Sequence, residues 1–335
     1  MLINPFVSIN MLPSSCFDIK TESDFNNHAL SVFAFQSKNV AVYREYISAL
    51  KIDIESISHY SQIPFLPVSF FKSREIIAEG CKSEIKFTSS GTTGMITAVH
   101  SVANLRLYEE SFLRGFNLFY GDVNEYCIIA LLPAYLEREG SSLVYMADQL
   151  INKSNHPQSG FYLNQYDELA VLLNELCQRK QKTILLGVTF ALLDLCEQFN
   201  VHFPELIVME TGGMKGRRKE MIREELHAVL CDGFAVEKIH SEYGMTELLS
   251  QAYSKGDGIF ITPPWMKVLL REMNDPFSLV GSNATGAVNV IDLANYYSCS
   301  FIATQDLGKK YDNGSFEILG RFDHSDLRGC NLLVQ

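Results

Sequence analysis

The sequence predicts an α/β fold in which helices cover a parallel sheet on both faces, with a smaller β-rich subdomain packed against it. Continuous apolar strands alternate with amphipathic helices between residues 126 and 230, a pattern typical of buried parallel sheets. After about residue 255 the strands become short, and the Asn313–Gly314 step is typical of a tight hairpin turn. The chain has 335 residues and is 47% hydrophobic, which is enough to bury a substantial core.

Three segments are expected along the chain: a helical lead-in over 1–84, an α/β ligand-binding subdomain over 85–254 and the β-rich subdomain over 255–335. In the lead-in, residues 25–60 carry apolar side chains at mixed three- and four-residue spacing, which predicts helices. A pair of prolines at 64 and 67 ends this helical pattern.

Composition argues against several classes of partner. The net charge of −11, from 28 basic and 39 acidic residues, repels nucleic-acid phosphates and anionic lipid surfaces. No uncharged apolar run reaches the roughly 18 residues that a membrane span needs, so we expect no membrane insertion. The eight cysteines form no CxxC pair and no metal-ligand cluster, which is typical of reduced thiols in a cytoplasmic protein.

A glycine-rich loop follows the apolar Ile85–Phe87 segment. Its sequence, TSSGTTG over 88–94, places two glycines and five hydroxyls in seven positions. Glycines let the backbone approach a ligand closely, while successive N–H groups and hydroxyls bind phosphate oxygens. The loop lacks the GK[ST] ending of a Walker P-loop, so we interpret it as a phosphate clamp; the alternative is a plain surface turn.

A second candidate loop, EYGMTE over 242–247, follows a strand-like segment and precedes a short helical run. It offers an aromatic ring for a purine, a hydroxyl for a phosphate oxygen and a carboxylate for Mg²⁺. The alternative is a helix N-terminus at which Thr246 and Glu247 have capping roles.

The order of the motifs resembles that of the acyl-adenylate-forming superfamily, which includes acyl-CoA synthetases, firefly-type luciferases and peptide-synthetase adenylation domains. The shared series is TSSGTTG at 88–94, a Gly-Gly step at 212–213, YGMTE at 243–247, an aspartate at 306 and GRFD at 320–323. It covers roughly residues 85–330. The implied fold is the N-terminal domain of an acyl-CoA synthetase, and the 85–254 segment becomes its nucleotide- and acyl-binding subdomain.

The resemblance implies that ATP and Mg²⁺ are the cofactors. Tyr243 would stack on adenine, Thr246 would contact the α-phosphate and Glu247 would bind Mg²⁺. Asp306 would take the ribose hydroxyls, with Arg321 beside it. The other residues implied in nucleotide binding are Thr88, Ser89, Ser90, Gly91, Thr92, Thr93 and Gly94 for the β- and γ-phosphates, Gly212 and Gly213 for the adenine and acyl pocket, and Gly244 within the YGMTE motif.

Within the superfamily, three segments are similar to the long-chain acyl-protein synthetase (LuxE-type) family: 131–146, 263–272 and 320–334. The implied function is ATP-dependent activation of a fatty acid to acyl-AMP, followed by transfer to a protein cysteine. The implied partners are an acyl-CoA reductase-like protein and an acyltransferase.

Superfamily members typically carry a small mobile domain beyond the GRxD hinge, with a lysine that polarises the carboxylate. This sequence ends 12 residues after Asp323, so we expect that domain to be lacking. Cys330 matches the C-terminal cysteine that accepts the acyl group in acyl-protein synthetases. The alternative for Cys330 is an inert small hydrophobe, as expected for the other seven cysteines.

Two other functions remain open from the sequence. One is a CoA ligase of the phenylacetate type that works with a separate C-terminal domain. The other is a catalytically weakened scaffold subunit, because the lysine is missing. Acid chain length cannot be read from the sequence, since pocket shape is built by residues far apart in the chain.

Overall fold

The computed structural model describes residues 13–89, 97–133, 140–163, 165–212 and 221–321. The α-helices of these residues are α1 (Glu22–Asn39), α2 (Ala41–Ala49), α3 (Phe70–Ser73), α4 (Leu105–Tyr120), α5 (Ser142–Ser154), α6 (Tyr166–Gln178), α7 (Thr189–Gln198) and α8 (Arg223–Phe234).

The strands are β1 (Leu66–Pro67), β2 (Ile85–Thr88), β3 (Val99–Val102), β4 (Cys127–Leu131), β5 (Gly160–Phe161), β6 (Thr183–Gly187), β7 (Ile207–Glu210), β8 (His240–Tyr243), β9 (Ala252–Ser254), β10 (Phe260–Ile261), β11 (Met266–Arg271), β12 (Leu279–Val280), β13 (Thr285–Asp292), β14 (Phe301–Lys310) and β15 (Phe316–Arg321).

A 13-stranded mixed sheet organises the fold, in the order β12-β11-β13-β14-β15-β10-β9-β8-β7-β6-β4-β5, with β1 added beside β14. Strands β5, β4, β6, β7 and β8 run parallel. From β8 to β12 neighbouring strands are antiparallel. Strands β2 and β3 form a separate antiparallel pair. The parallel sheet and the β-rich part predicted from the sequence are both confirmed.

Burial explains the pattern of the parallel strands. All five residues of β4 and all five of β6 are buried, as continuous apolar strands between two helical layers should be. The β14–β15 hairpin turns at Gly314, whose φ of 85° suits glycine. Tyr311 N–H donates to the Ser315 carbonyl across this turn at 2.8 Å, as the Asn-Gly step predicts.

The second candidate loop differs from its prediction. Glu242 and Tyr243 are the last residues of β8, not loop residues, and 244–250 form turns and irregular backbone instead of a short helix. Strand β8 pairs with β7 through His240 and Ser241, and its pairing with β9 extends the strand up to the glycine. The capping interpretation of Thr246 and Glu247 is therefore wrong.

The segment boundaries expected at 84/85 and 254/255 stay predictions. Strands β9 and β10, on either side of the second boundary, pair within one sheet. No helix in the described ranges has the length and apolar character needed to cross a membrane.

Candidate active site

Three predicted site residues meet where β8 ends beside the β14–β15 hairpin. The Tyr243 hydroxyl donates to Asp306 Oδ2 at 2.7 Å, and Arg321 Nε donates to Asp306 Oδ1 at 3.2 Å. The hairpin register pairs Asp306 directly with Arg321. Only 8% of the Asp306 side chain is exposed, against 70% for Arg321. The pair therefore consists of a buried carboxylate with an exposed cation at its rim.

Aromatic packing fixes the ring of Tyr243. Phe260 and Phe316 meet it edge-on, with ring centroids 5.9 and 5.8 Å away. Burial, and then the neighbouring Asp306, raise the pKa of Tyr243 well above its ordinary value. The phenol therefore stays a neutral donor to Asp306 at every physiological pH.

The Thr246–Glu247 turn is held through its backbone by two buried side chains. His100 Nδ1 donates to the Thr246 carbonyl at 2.8 Å, and Asn295 Nδ2 donates to the Glu247 carbonyl at 2.9 Å. His100 and Asn295 are almost fully buried, and His100 Nε2 lies 3.1 Å from Asn295 Oδ1. The turn is thus preorganised, which leaves the side chains of its two residues free to serve a ligand.

The chain beyond the turn is anchored by Asp292, at the end of β13. Its carboxylate accepts the N–H groups of Leu249 and Ser250 at 2.7 and 3.0 Å. Asp292 is fully buried, so each of these bonds satisfies a polar group that water cannot reach. The backbone over 246–250 is consequently held at its start by His100 and Asn295 and at its end by Asp292.

Glu247 lies in an electrostatic field of mixed sign. Its side chain is buried, and burial raises its pKa above the ordinary value; Asp306 adds to this effect, whereas Arg321 and Lys72 oppose it. In the part of the chain that the structure describes, no three histidine, cysteine, aspartate or glutamate side chains group as a metal site. A lone carboxylate fits Mg²⁺ that is held mainly by substrate phosphates, because Mg²⁺ usually binds one or two carboxylates together with phosphates and water.

The base of the predicted phosphate loop is close to this turn. Ser89 N–H donates to the Ala98 carbonyl at 3.0 Å, and the Ala98 N–H donates to Ser89 Oγ at 2.9 Å, which closes the base of the loop. The preceding strand residue Phe87 pairs with His100, and His100 contacts Thr246. The loop base at Thr88 and the YGMTE turn are thus linked through one side chain. The remaining loop residues, Ser90, Gly91, Thr92, Thr93 and Gly94, lie outside the described residues.

Gly212 lies just beyond β7, the neighbouring strand of the parallel sheet. It follows the end of β7, which pairs with β8, and has φ +74° with no atom within 4 Å of an added Cβ. Its N–H donates to Glu210 Oε2 at 2.7 Å. Gly244, which follows Tyr243, has less space around it, because an added Cβ would clash with Glu242 Oε1. Gly213 and Cys330 lie outside the described residues.

A pair of carboxyl groups lies at the ends of β7 and β8. Burial, and then repulsion by Glu210, raise the pKa of Glu242 to about 8. Burial also disfavours ionisation of Glu210, but the neighbouring side chains of His227 and Ser241, together with the hydrogen bond from the Gly212 N–H, outweigh it and lower its pKa. Glu210 is therefore ionised and Glu242 neutral at neutral pH, next to the glycine of the motif.

Sequence reasoning missed four of these residues as parts of the site. No role in the site was assigned from the sequence to His100, Asn295, Glu242 or Lys72. Asn295 and His100 are 195 positions apart, so no local pattern links them. For His100 the available signal was its position directly after the phosphate loop.

The fold is similar to that of adenylate-forming ligases. The structure of 2-hydroxyisobutyryl-CoA ligase in the postadenylation state with 2-HIB-AMP aligns with a TM-score of 0.66 and 11% identity, over 96% of this chain and 74% of that one. Its open conformation with 2-HIB-AMP and CoA aligns with a TM-score of 0.64 and 10% identity, over 89% and 74%. The structure of ATP-bound MatB from Rhodopseudomonas palustris aligns with a TM-score of 0.53 and 16% identity, over 70% of this chain and 47% of that one.

The family match is more specific than the fold. The model of the family "Acyl-protein synthetase, LuxE" matches residues 12–335, so this chain belongs to that family. The fold and family expected from the sequence are both confirmed. Comparison with curated proteins gives no match.

Proposed function

We propose that the protein uses ATP and Mg²⁺ to activate a long-chain fatty acid as acyl-AMP and then transfers the acyl group to the thiol of Cys330. The observation that carries this proposal is the junction of Tyr243, Asp306 and the Thr246–Glu247 turn. There the ring of Tyr243 would stack on adenine, the Asp306 carboxylate would take the ribose hydroxyls and the Glu247 carboxylate would bind Mg²⁺. The family match supports acyl activation, and the bound adenylates of the structural neighbours support the nucleotide.

The first half-reaction joins two anions. A carboxylate oxygen of the acid forms a bond to the α-phosphorus, the bond from that phosphorus to the bridging oxygen breaks, and pyrophosphate leaves with the electron pair. The protein's part is to align the groups and offset their charge. Asp306 and Tyr243 would hold the nucleoside, while Thr246 and the loop at 88–94 would hold the phosphates. Glu247 would hold Mg²⁺, which offsets phosphate charge when bound.

The second half-reaction uses the Cys330 thiol. Its sulfur attacks the acyl carbonyl, a C–S bond forms, the C–O bond to AMP breaks, and the thiol proton is released to solvent. The thioester retains its transfer potential for an acyl-CoA reductase-like partner, or for an acyltransferase. We place the protein in the cytoplasm, where its thiols stay reduced.

A phenylacetate-type CoA ligase is the second candidate, and the likeness to CoA ligases favours it. A scaffold subunit that has lost its chemistry is the third.

These three functions can be separated by measuring the exchange of labelled pyrophosphate into ATP with a panel of fatty and aromatic acids. Exchange that depends on a long-chain acid and not on CoA supports the proposal. Formation of acyl-CoA favours the CoA ligase, and lack of exchange with every acid overturns acyl activation. Glu247→Gln should abolish most of the exchange, whereas the exposed Glu272→Gln provides a matched control.

A further inference from the structure

The candidate site contains more negative than positive charge. Glu247 and Asp306 contribute two carboxylates, and Arg321 is already bonded to Asp306. The proposed substrates would add a fatty-acid carboxylate and the phosphates of ATP. A reaction between two anions needs a further positive charge at the point of attack, because their repulsion is strongest where the new bond forms.

Lys72 is placed beside the turn by its own secondary structure. Strand β1 pairs in parallel with β14, with Pro67 opposite Ala303, and Val68 N–H donates to the Ala303 carbonyl at 2.9 Å. The chain therefore leaves β1 at the end of β14 that leads to Asp306. Helix α3, which contains Lys72, begins two residues after Val68.

The neighbouring residue fixes the orientation of α3. Phe71 is 1% exposed and meets the His100 ring edge-on, with centroids 5.6 Å apart. His100 in turn donates to the Thr246 carbonyl. The helix is thus packed against the residue that holds the motif, while the side chain of Lys72 remains exposed.

The ammonium of Lys72 is available to a ligand. Among the described residues it forms no hydrogen bond or ion pair, whereas the nearby cations Arg74 and Lys86 are paired with Glu45 and Glu75, each at 2.9 Å. Its field nevertheless reaches the site: against the burial that raises the pKa of Glu247, the Lys72 charge acts to lower it.

We propose that Lys72 is a catalytic residue whose ammonium contacts the fatty-acid carboxylate and the α-phosphate of ATP as they react. This inference rests on the proposed adenylate chemistry. Lys72 transfers no proton: it remains an ammonium while the carboxylate oxygen bonds to phosphorus and pyrophosphate departs. The cation that polarises the carboxylate is thereby supplied from the N-terminal part of this chain.

The test compares Lys72→Met, which keeps the length of the side chain, with Lys72→Arg and with the control Arg74→Met on the same turn. The first measurement is the affinity for a non-reacting acyl-sulfamoyl-adenosine, which needs no turnover. Lys72→Met should bind about 10–100-fold more weakly, as expected for one charge-assisted contact. Lys72→Arg should recover part of the affinity, and Arg74→Met should match the wild type.

The second measurement is kcat and the KM for ATP in acid-dependent pyrophosphate exchange. Without the Lys72 charge kcat should fall by about 100-fold while the KM for ATP changes little, because the repulsion between the two anions is strongest where the new bond forms. A merely structural role of Lys72 would lower the stability in urea without this split between kcat and KM. Wild-type affinity and a wild-type kcat in Lys72→Met would overturn the inference, as would an equal loss in Arg74→Met. If the wild type bound no acyl-sulfamoyl-adenosine, the proposed function itself would fail.

Discussion

Replacing Tyr243 by phenylalanine or alanine separates its two expected roles. Phenylalanine keeps the ring that would stack on adenine but removes the hydroxyl that donates to Asp306 Oδ2 at 2.7 Å. Alanine removes both. Tyr253→Phe is a matched control, because that buried tyrosine lies on the adjacent strand and its hydroxyl has no hydrogen-bond partner among the described residues.

The structure sets the size of each effect. A hydrogen bond to a charged acceptor contributes about 1.5–3 kcal/mol, and the 8% exposure of Asp306 leaves little room for water to replace the lost donor. Tyr243→Phe should therefore lower the free energy of unfolding by about 2 kcal/mol. Because Asp306 is then less well oriented, the KM for ATP should rise about 10-fold with kcat nearly unchanged.

Tyr243→Ala should raise the KM for ATP by a further factor of about 5–100, since stacking of a base on an aromatic ring contributes about 1–3 kcal/mol. The assay is pyrophosphate exchange at varied ATP concentration, with urea unfolding of the same variants. Equal KM values for the phenylalanine and alanine variants would refute stacking. A wild-type KM in Tyr243→Phe would refute the ribose role of Asp306.

Two further predictions concern buried groups. A carboxyl whose pKa rises from 4.5 to about 8 on folding stabilises the protein below pH 4.5, and this contribution is lost as pH rises to about 8. In urea unfolding, Glu242→Gln should therefore have a free energy of unfolding about 2 kcal/mol above that of the wild type at pH 9 and a similar one at pH 5. A difference between the two proteins that does not change with pH would exclude the raised pKa of Glu242. His100→Phe fills the same space without a donor to Thr246, so exchange activity should fall at least about 10-fold; unchanged exchange would show that the turn does not need this bond.

The sequence could predict those parts of the fold and site whose signals are local. Continuous apolar runs mark β4 and β6 because both faces of these strands are buried. The order of the motifs predicted that Tyr243 and Asp306 belong to one site. The structure shows a hydrogen bond between them, although they are 63 positions apart in the sequence. Their pairing was predictable only through resemblance, since no periodicity relates residues so far apart.

The missed features depend on tertiary contacts. His100 acts on Thr246 across 146 positions, and the placement of Lys72 depends on two residues of β1 that pair with β14. The strand conformation of Glu242 and Tyr243 arises from their pairing with Tyr253 and Ala252 of β9, which overrides the turn chemistry of the glycine that follows.

The most direct test of the account is to follow both half-reactions in Cys330→Ser. Serine keeps the size but replaces the thiol with an alcohol of far higher pKa, so acyl transfer should stop while adenylate formation continues. The partly exposed free cysteine at 231 provides the control variant, Cys231→Ser. We predict that Cys330→Ser retains acid-dependent pyrophosphate exchange but incorporates no labelled fatty acid that hydroxylamine releases. Hydroxylamine-sensitive labelling of Cys330→Ser, or a wild type that is never labelled and forms acyl-CoA instead, would contradict the account.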